Sequence, residues 1–254
     1  MTLNEIDAIT LDCKYEMKYP NYQKQYTCVA ENLRTEHNNR DVVSIGGLHK
    51  EGMSISNVNK LDIYKQSCPF LPKNLGTHFK NLEYLKVTNT NLKFLIDGDL
   101  DSLTMLKSFD VSWNPIEELG RNFFNGQTKI EFVSFFFCHL KVIDSGALLP
   151  LVSLESANFL DNICISFHIT EKYEIIEFGT EARDKCKKEY YEGKMFNRIE
   201  IDENPIESLP FLRKNVTLVT ICIAIPSVLL LIVLLRLFCV RFGSNWVELR
   251  EALI

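Results

Sequence analysis

The sequence predicts an α/β solenoid of five short repeats followed by one membrane-crossing helix. Three observations carry this reading. Apolar residues return every 24 positions through the middle of the chain, they alternate with polar residues inside each block, and a 20-residue stretch near the C-terminus holds no charge.

Val58, Leu82, Leu106, Ile130 and Leu154 open five blocks that follow one another without a gap. Three positions on stand Leu61, Leu85, Phe109, Val133 and Ala157, and two further on Ile63, Val87, Val111, Phe135 and Phe159. Such alternation with period 2 makes one short strand per block with its apolar side chains inward, and stacked blocks then form a parallel sheet. A polar turn residue follows at Gln66, Thr90, Asn114 and Asn162, with Cys138 in its place in the fourth block. Its side-chain amide can satisfy backbone groups that the turn would otherwise bury unpaired. Cys68, Leu92, Ile116, Leu140 and Cys164 come two residues later, and four blocks add Leu71, Leu95, Leu119 or Ile143. No block can bury its apolar face alone, so neighbours supply each other's core and both ends need caps.

These residues resemble the leucine-rich repeat family over about residues 42–190, most cleanly in Leu106–Leu119, LKSFDVSWNPIEEL. The resemblance implies a short parallel sheet on a concave face and an irregular convex side. An entry with Cys13, Tyr15, Tyr26 and Cys28 and an exit at Asn162 and Cys164 resemble the insect-type extracellular and transmembrane members of that family. That likeness implies an ectodomain engaged in recognition or adhesion, innate-immune recognition among them, with a co-receptor as a further partner.

The chain divides into an N-terminal cap (1–57), five repeats (58–163), a C-terminal cap (164–190), a juxtamembrane stalk or degenerate repeat (191–215), a transmembrane helix (216–240) and a short tail (241–254). Phe196–Leu209, FNRIEIDENPIESL, fits the repeat pattern but stands out of register. The cysteine positions pair Cys13 with Cys28 in the first cap and Cys164 with Cys186 in the second, where Tyr173–Cys186 reads as a short helix across the open end. Loops of this size are each worth about 3 kcal/mol when closed. Two such bridges place the repeats in an oxidising compartment. The alternative is reduced thiols buried as small apolar groups, the state expected of Cys68 and Cys138.

Val216–Leu235, VTLVTICIAIPSVLLLIVLL, is long enough as a helix to cross the hydrocarbon layer. Arg213 and Lys214 precede it while Arg236, Arg241 and Arg250 follow, which favours a cytoplasmic C-terminus slightly. The expected location is the plasma membrane, single-pass, with the repeats outside. The first residues, MTLNEID, lack the apolar core of a signal peptide. The true start therefore lies upstream, or the chain is a tail-anchored intracellular scaffold with reduced cysteines.

The partner is expected to be a protein. On the solvent side of the strands the pattern places Tyr64, Tyr84, Trp113, Phe132, Phe136 and Phe137, with Leu160 continuing the row. Aromatic groups give large contact area for little rotamer entropy, and apolar clusters on a surface usually meet something. A one-residue shift in Phe135-Phe136-Phe137 would bury Phe136 instead. Lys60, Lys65 and Lys86 flank the patch with Asp62, Asp110 and Asp161, so neither sign dominates. A net charge of −5 argues against nucleic acid. The five histidines are scattered, with no metal-ligand spacing, phosphate loop or nucleophile elbow. No catalytic residue, metal or cofactor is expected, and the chain is read as no enzyme.

Overall fold

The computed structural model describes residues 9–19 and 24–187, all within the unit Met1–Ile199. Strands β4 (Lys60–Tyr64), β5 (Tyr84–Thr88), β6 (Ser108–Asp110), β8 (Phe132–Ser134) and β10 (Ser156–Asn158) recur at the 24-residue interval. They pair in parallel and in register, Leu61 with Leu85 and Phe109 with Val133. Phe70 and Phe94 pair on the flank, followed by a second two-stranded ladder of β7 (Glu118–Leu119) and β9 (Val142–Ile143).

The caps extend the sheet beyond the repeats, which the repeat pattern does not reveal. β1 (Ile9–Lys18) and β2 (Gln25–Glu31) form an antiparallel hairpin, β2 pairs in parallel with β4, and β3 (Val42–Gly46) lies parallel to β1 at the edge. At the other end β11 (His168–Ile169) closes antiparallel on β10. The result is nine strands in the order β11-β10-β8-β6-β5-β4-β2-β1-β3. A short helix α1 (Leu75–His78) sits on the convex side of the first repeat, and there Gly76 is required. A Cβ at that position would lie 1.7 Å from the Ser102 carbonyl oxygen of the next repeat.

The inward residues of every block are buried, and in the later blocks they become a chain of rings. Phe135 stacks on Phe159 at 5.0 Å, Phe159 meets Phe178 at 4.5 Å, and Phe109 packs against Phe123 and Phe124. Phe178 belongs to α2 (Glu174–Lys185), whose Phe178 and Ala182 cover the open end of the core. Glu174 starts this helix: its carboxylate accepts from the backbone N–H groups of Thr170 and Glu171 at 2.7 and 2.9 Å. Those bonds hold its pKa below the usual carboxylate value. These bonds, which fasten the turn leading into α2, therefore contribute above that usual range and are lost as acid protonates Glu174.

Both expected disulfides are present. Cys13–Cys28 staples the hairpin, and Cys164–Cys186 ties the last repeat to the end of α2 across 22 residues. Replacing Cys164 and Cys186 together with serine is expected to lower stability by about 3 kcal/mol, read as a fall in the urea midpoint under non-reducing conditions.

The turn residues behave as the repeat logic requires. Asn114 Oδ1 accepts from the N–H groups of Thr90 and Leu92, while Nδ2 donates to the carbonyls of Val87 and Val111. Asn162 repeats this toward Leu140, Phe135 and Phe159. Cys138 replaces the amide with a thiol that donates to Val111 O at 3.4 Å. Cys68 and Cys138 are free and buried. Burial pushes their thiols up to about 11 and about 12 respectively. Neither is expected to react with iodoacetamide in the folded protein, whereas both should be labelled in denaturant, as read by peptide mass spectrometry.

Among the described residues no helix is long and apolar enough to cross a membrane. The stalk or degenerate repeat at 191–215, the membrane helix at 216–240 and the tail at 241–254 lie outside the described residues, as do the end of the C-terminal cap and the first eight positions.

Candidate functional site: the concave face

Three rows of side chains cross the solvent face of the sheet, each set by strand register. The first runs Lys60, Tyr84, Ser108, Phe132 and Ser156. Tyr84 and Phe132 are half-buried here, with Ser108 between them. Burial lowers the pKa of Lys60 in this row.

The middle row is charged at one end and neutral at the other: Asp62, Lys86, Asp110, Ser134 and Asn158. Lys18 reaches Asp62 at 3.6 Å and Lys86 reaches Asp110 at 3.7 Å, so the carboxylates are balanced by neighbouring ammonium groups. Asp110 also accepts from Ser112 Oγ at 2.6 Å, and Ser112 and Ser134 share a hydroxyl bond of 2.8 Å.

The third row holds Tyr64, Thr88, Ser112, Phe136 and Leu160 along the rim where each strand turns away. Beside it lies a feature absent from the repeat pattern. Lys65, Asn89, Trp113, Phe137 and Asp161 stand 24 residues apart, immediately before the turn residue, and all have left-handed backbone with φ between 51° and 62°. Asn and Asp tolerate this region; for bulky Trp and Phe it is strained, at about 1 kcal/mol or more each. The turn swings these side chains outward. Trp113 is 52% exposed and Phe137 45%. The Trp113 ring lies 4.4 Å from that of Phe137 and 5.4 Å from that of Phe136. Phe135 is buried, so the triplet has Phe135 inward and its two neighbours toward solvent, without the one-residue shift.

A concavity of about 620 Å³ occupies this face. Of the six candidate residues Tyr64, Trp113 and Phe136 line it, together with both ion pairs; Phe137 buttresses Trp113 from outside, and Tyr84 and Phe132 are not among its walls. Tyr64 is 47% exposed, with the Lys65 ammonium 5.0 Å from its ring centre. What the sequence did not reveal is the role of Thr88 and Ser112, which form the floor between the rings. Among the described residues no group of three or more His, Cys, Asp or Glu side chains is placed to hold a metal ion. The chemistry of this face is that of contact: exposed rings, a hydroxyl floor and balanced charge.

The architecture is a mixed sheet of mostly parallel strands. No protein-family model matches the chain, and no curated protein sequence does. Among solved structures the chain is similar to one described as "Structure of the Toll - Spatzle complex, a molecular hub in Drosophila development and innate immunity", at 15% identity and a TM-score of 0.39. The match spans 49% of this chain and 17% of that one.

Proposed function

We propose that this chain is a leucine-rich repeat protein that binds a protein partner through its concave face, by recognition without catalysis. The observation that carries the reading is the group of three touching rings, Trp113, Phe136 and Phe137, held toward solvent on that face. Exposing such area is unfavourable in water unless a partner covers it. The two cap disulfides support an oxidising location for the repeats. With the uncharged segment 216–235 as a membrane anchor, the reading becomes a single-pass protein that presents its repeats outside the cell.

Replacing Trp113 and Phe136 with alanine is expected to weaken partner binding about 100-fold, since buried aromatic anchors dominate interfaces. Both side chains sit outside the core, so folding should be kept. The check is proximity labelling on intact cells with the parent chain and the variant, followed by affinity measurement on the proteins that the parent labels. Unchanged affinity in the double variant would remove the concave face as the interface. Non-reducing peptide mapping of the protein from cell membranes tests the compartment: four free thiols at positions 13, 28, 164 and 186 would support a cytosolic scaffold instead.

A further inference from the structure

The concave face carries a gap between two aromatic walls. Tyr64 on β4 stands level with Thr88 on β5. The ladder then runs on past β6, where Val111 N and Trp113 N donate to the carbonyls of Ser134 and Phe136 in the next repeat. Thr88 and Ser112 form the floor of the gap, 5% and 6% exposed. The Trp113 ring lies against Phe136 and Phe137, and these rings together make the second wall.

The walls are therefore two to three strand spacings apart, roughly 10–14 Å between centres. Subtracting contact radii leaves roughly 7–10 Å of free width. A helix with its side chains is about 10–12 Å across and does not enter, whereas a single ring does.

We infer that this slot takes one planar, uncharged aromatic side chain with a polar tip, of the tyrosine kind, inserted from an extended or loop segment of a protein partner. The inference deepens the reading of the concave face as a protein-binding surface and rests on it. The walls offer ring faces and edges to an inserted ring. Charge argues against an ion in the middle row: Asp62 and Asp110 already hold Lys18 and Lys86 beside the slot, so a guanidinium there would have to displace an ammonium and a carboxylate an Asp, while the Lys65 ammonium is engaged on the Tyr64 ring. A neutral ring reaches that row with its hydroxyl and leaves both pairs intact. The left-handed backbone at Trp113 and Phe137 belongs to the same site. Asn89 occupies this turn position in the second repeat without comparable strain, Lys65 shares the left-handed backbone beside Tyr64, and the two aromatic residues in it stand together, Trp113 in the second wall with Phe137 behind it.

The test uses the full chain in detergent and the fluorine NMR line width of a fluorinated N-acetyl-tyrosinamide at about millimolar concentration, the affinity range of so small a probe. Broadening is expected with the parent chain and is lost in Thr88→Phe, which fills the slot. Tyr64→Ala, at an exposed position that cannot compromise the core, should also abolish it. N-acetyl-argininamide at equal concentration should not restore the narrow line. Displacement by the arginine amide would overturn the inference while leaving the concave face a binding surface. Broadening that survives Tyr64→Ala, or that is absent from the parent, would overturn it as well. The affinity measurement with Trp113→Ala and Phe136→Ala decides the broader reading separately.

Discussion

Replacing Arg40 with methionine is expected to destabilise the protein by about 4 kcal/mol at neutral pH, because it strands a buried carboxylate. Arg40 Nη1 lies 2.6 Å from Asp99 Oδ1, with the two side chains 7% and 0% exposed. Asp99 is otherwise held by the Ile96 N–H at 3.1 Å. The guanidinium also sits 5.9 Å from the centre of the Phe70 ring. The pair joins the N-terminal cap to the convex side of the second repeat. Burial raises the pKa of Asp99 even with Arg40 beside it, so its contribution to stability is full below the unfolded carboxylate value and falls as pH rises through the folded one. Without Arg40 that pKa moves higher still. The deficit of the variant should therefore shrink in mildly acidic solution, where Asp99 takes up a proton, and be largest at neutral pH. Urea midpoints at the two pH values read this directly. Arg40→Met combined with Asp99→Leu should recover most of the loss, since apolar groups of similar size replace a buried pair at little cost. Equal deficits at both pH values would mean that the pair is not what joins the cap to the repeats.

That ion pair was invisible in the sequence. Its members are 59 residues apart, and each lies in an irregular stretch where a charged residue is the ordinary occupant. Repeat positions were legible for the opposite reason. A period of 2 within each block and of 24 between blocks leaves one register in which Leu61, Leu85, Phe109, Val133 and Ala157 all face inward, and those residues are buried. Register also places Tyr64 and Phe136 toward solvent, whereas Trp113 is turned outward by the left-handed backbone before the turn residue. It could not tell them from Tyr84 and Phe132, because alternation assigns a face and not a position along the strand. Likewise it treats the residue before the turn as variable. The left-handed backbone there follows from the turn geometry shared by all five blocks, and only the structure shows that Trp113 and Phe137 occupy it at a penalty. The caps depart from periodicity altogether. Cysteine spacing marked where they are and how they are bridged, while the antiparallel β1–β2 hairpin and the edge strand β3 depend on long-range pairing that no local signal encodes.

Asn114→Ala is expected to cost about 3–4 kcal/mol, the second largest effect, and it tests how the repeats are joined. The side chain is buried, and its oxygen is the acceptor at 2.9 and 3.0 Å for the Thr90 and Leu92 N–H groups of the preceding repeat. Alanine leaves those donors buried without their amide partner, at about 1–3 kcal/mol each. Carbonyls of Val87 and Val111 lose a donor in the same step. The fourth repeat shows what a partial substitute looks like. Cys138 donates to Val111 O, while the Ile116 N–H bonds locally to the Asn114 carbonyl at 2.9 Å. Asn114→Cys should accordingly lose less than Asn114→Ala. Thermal unfolding of the two variants gives the order, and amide hydrogen exchange gives the location. The N–H groups of Thr90 and Leu92 should exchange faster in Asn114→Ala, ahead of those in the β1–β2 hairpin, if the amide holds neighbouring repeats together. Equal stability of the alanine and cysteine variants would show that a thiol at this position does not substitute for the hydrogen bonds of the amide.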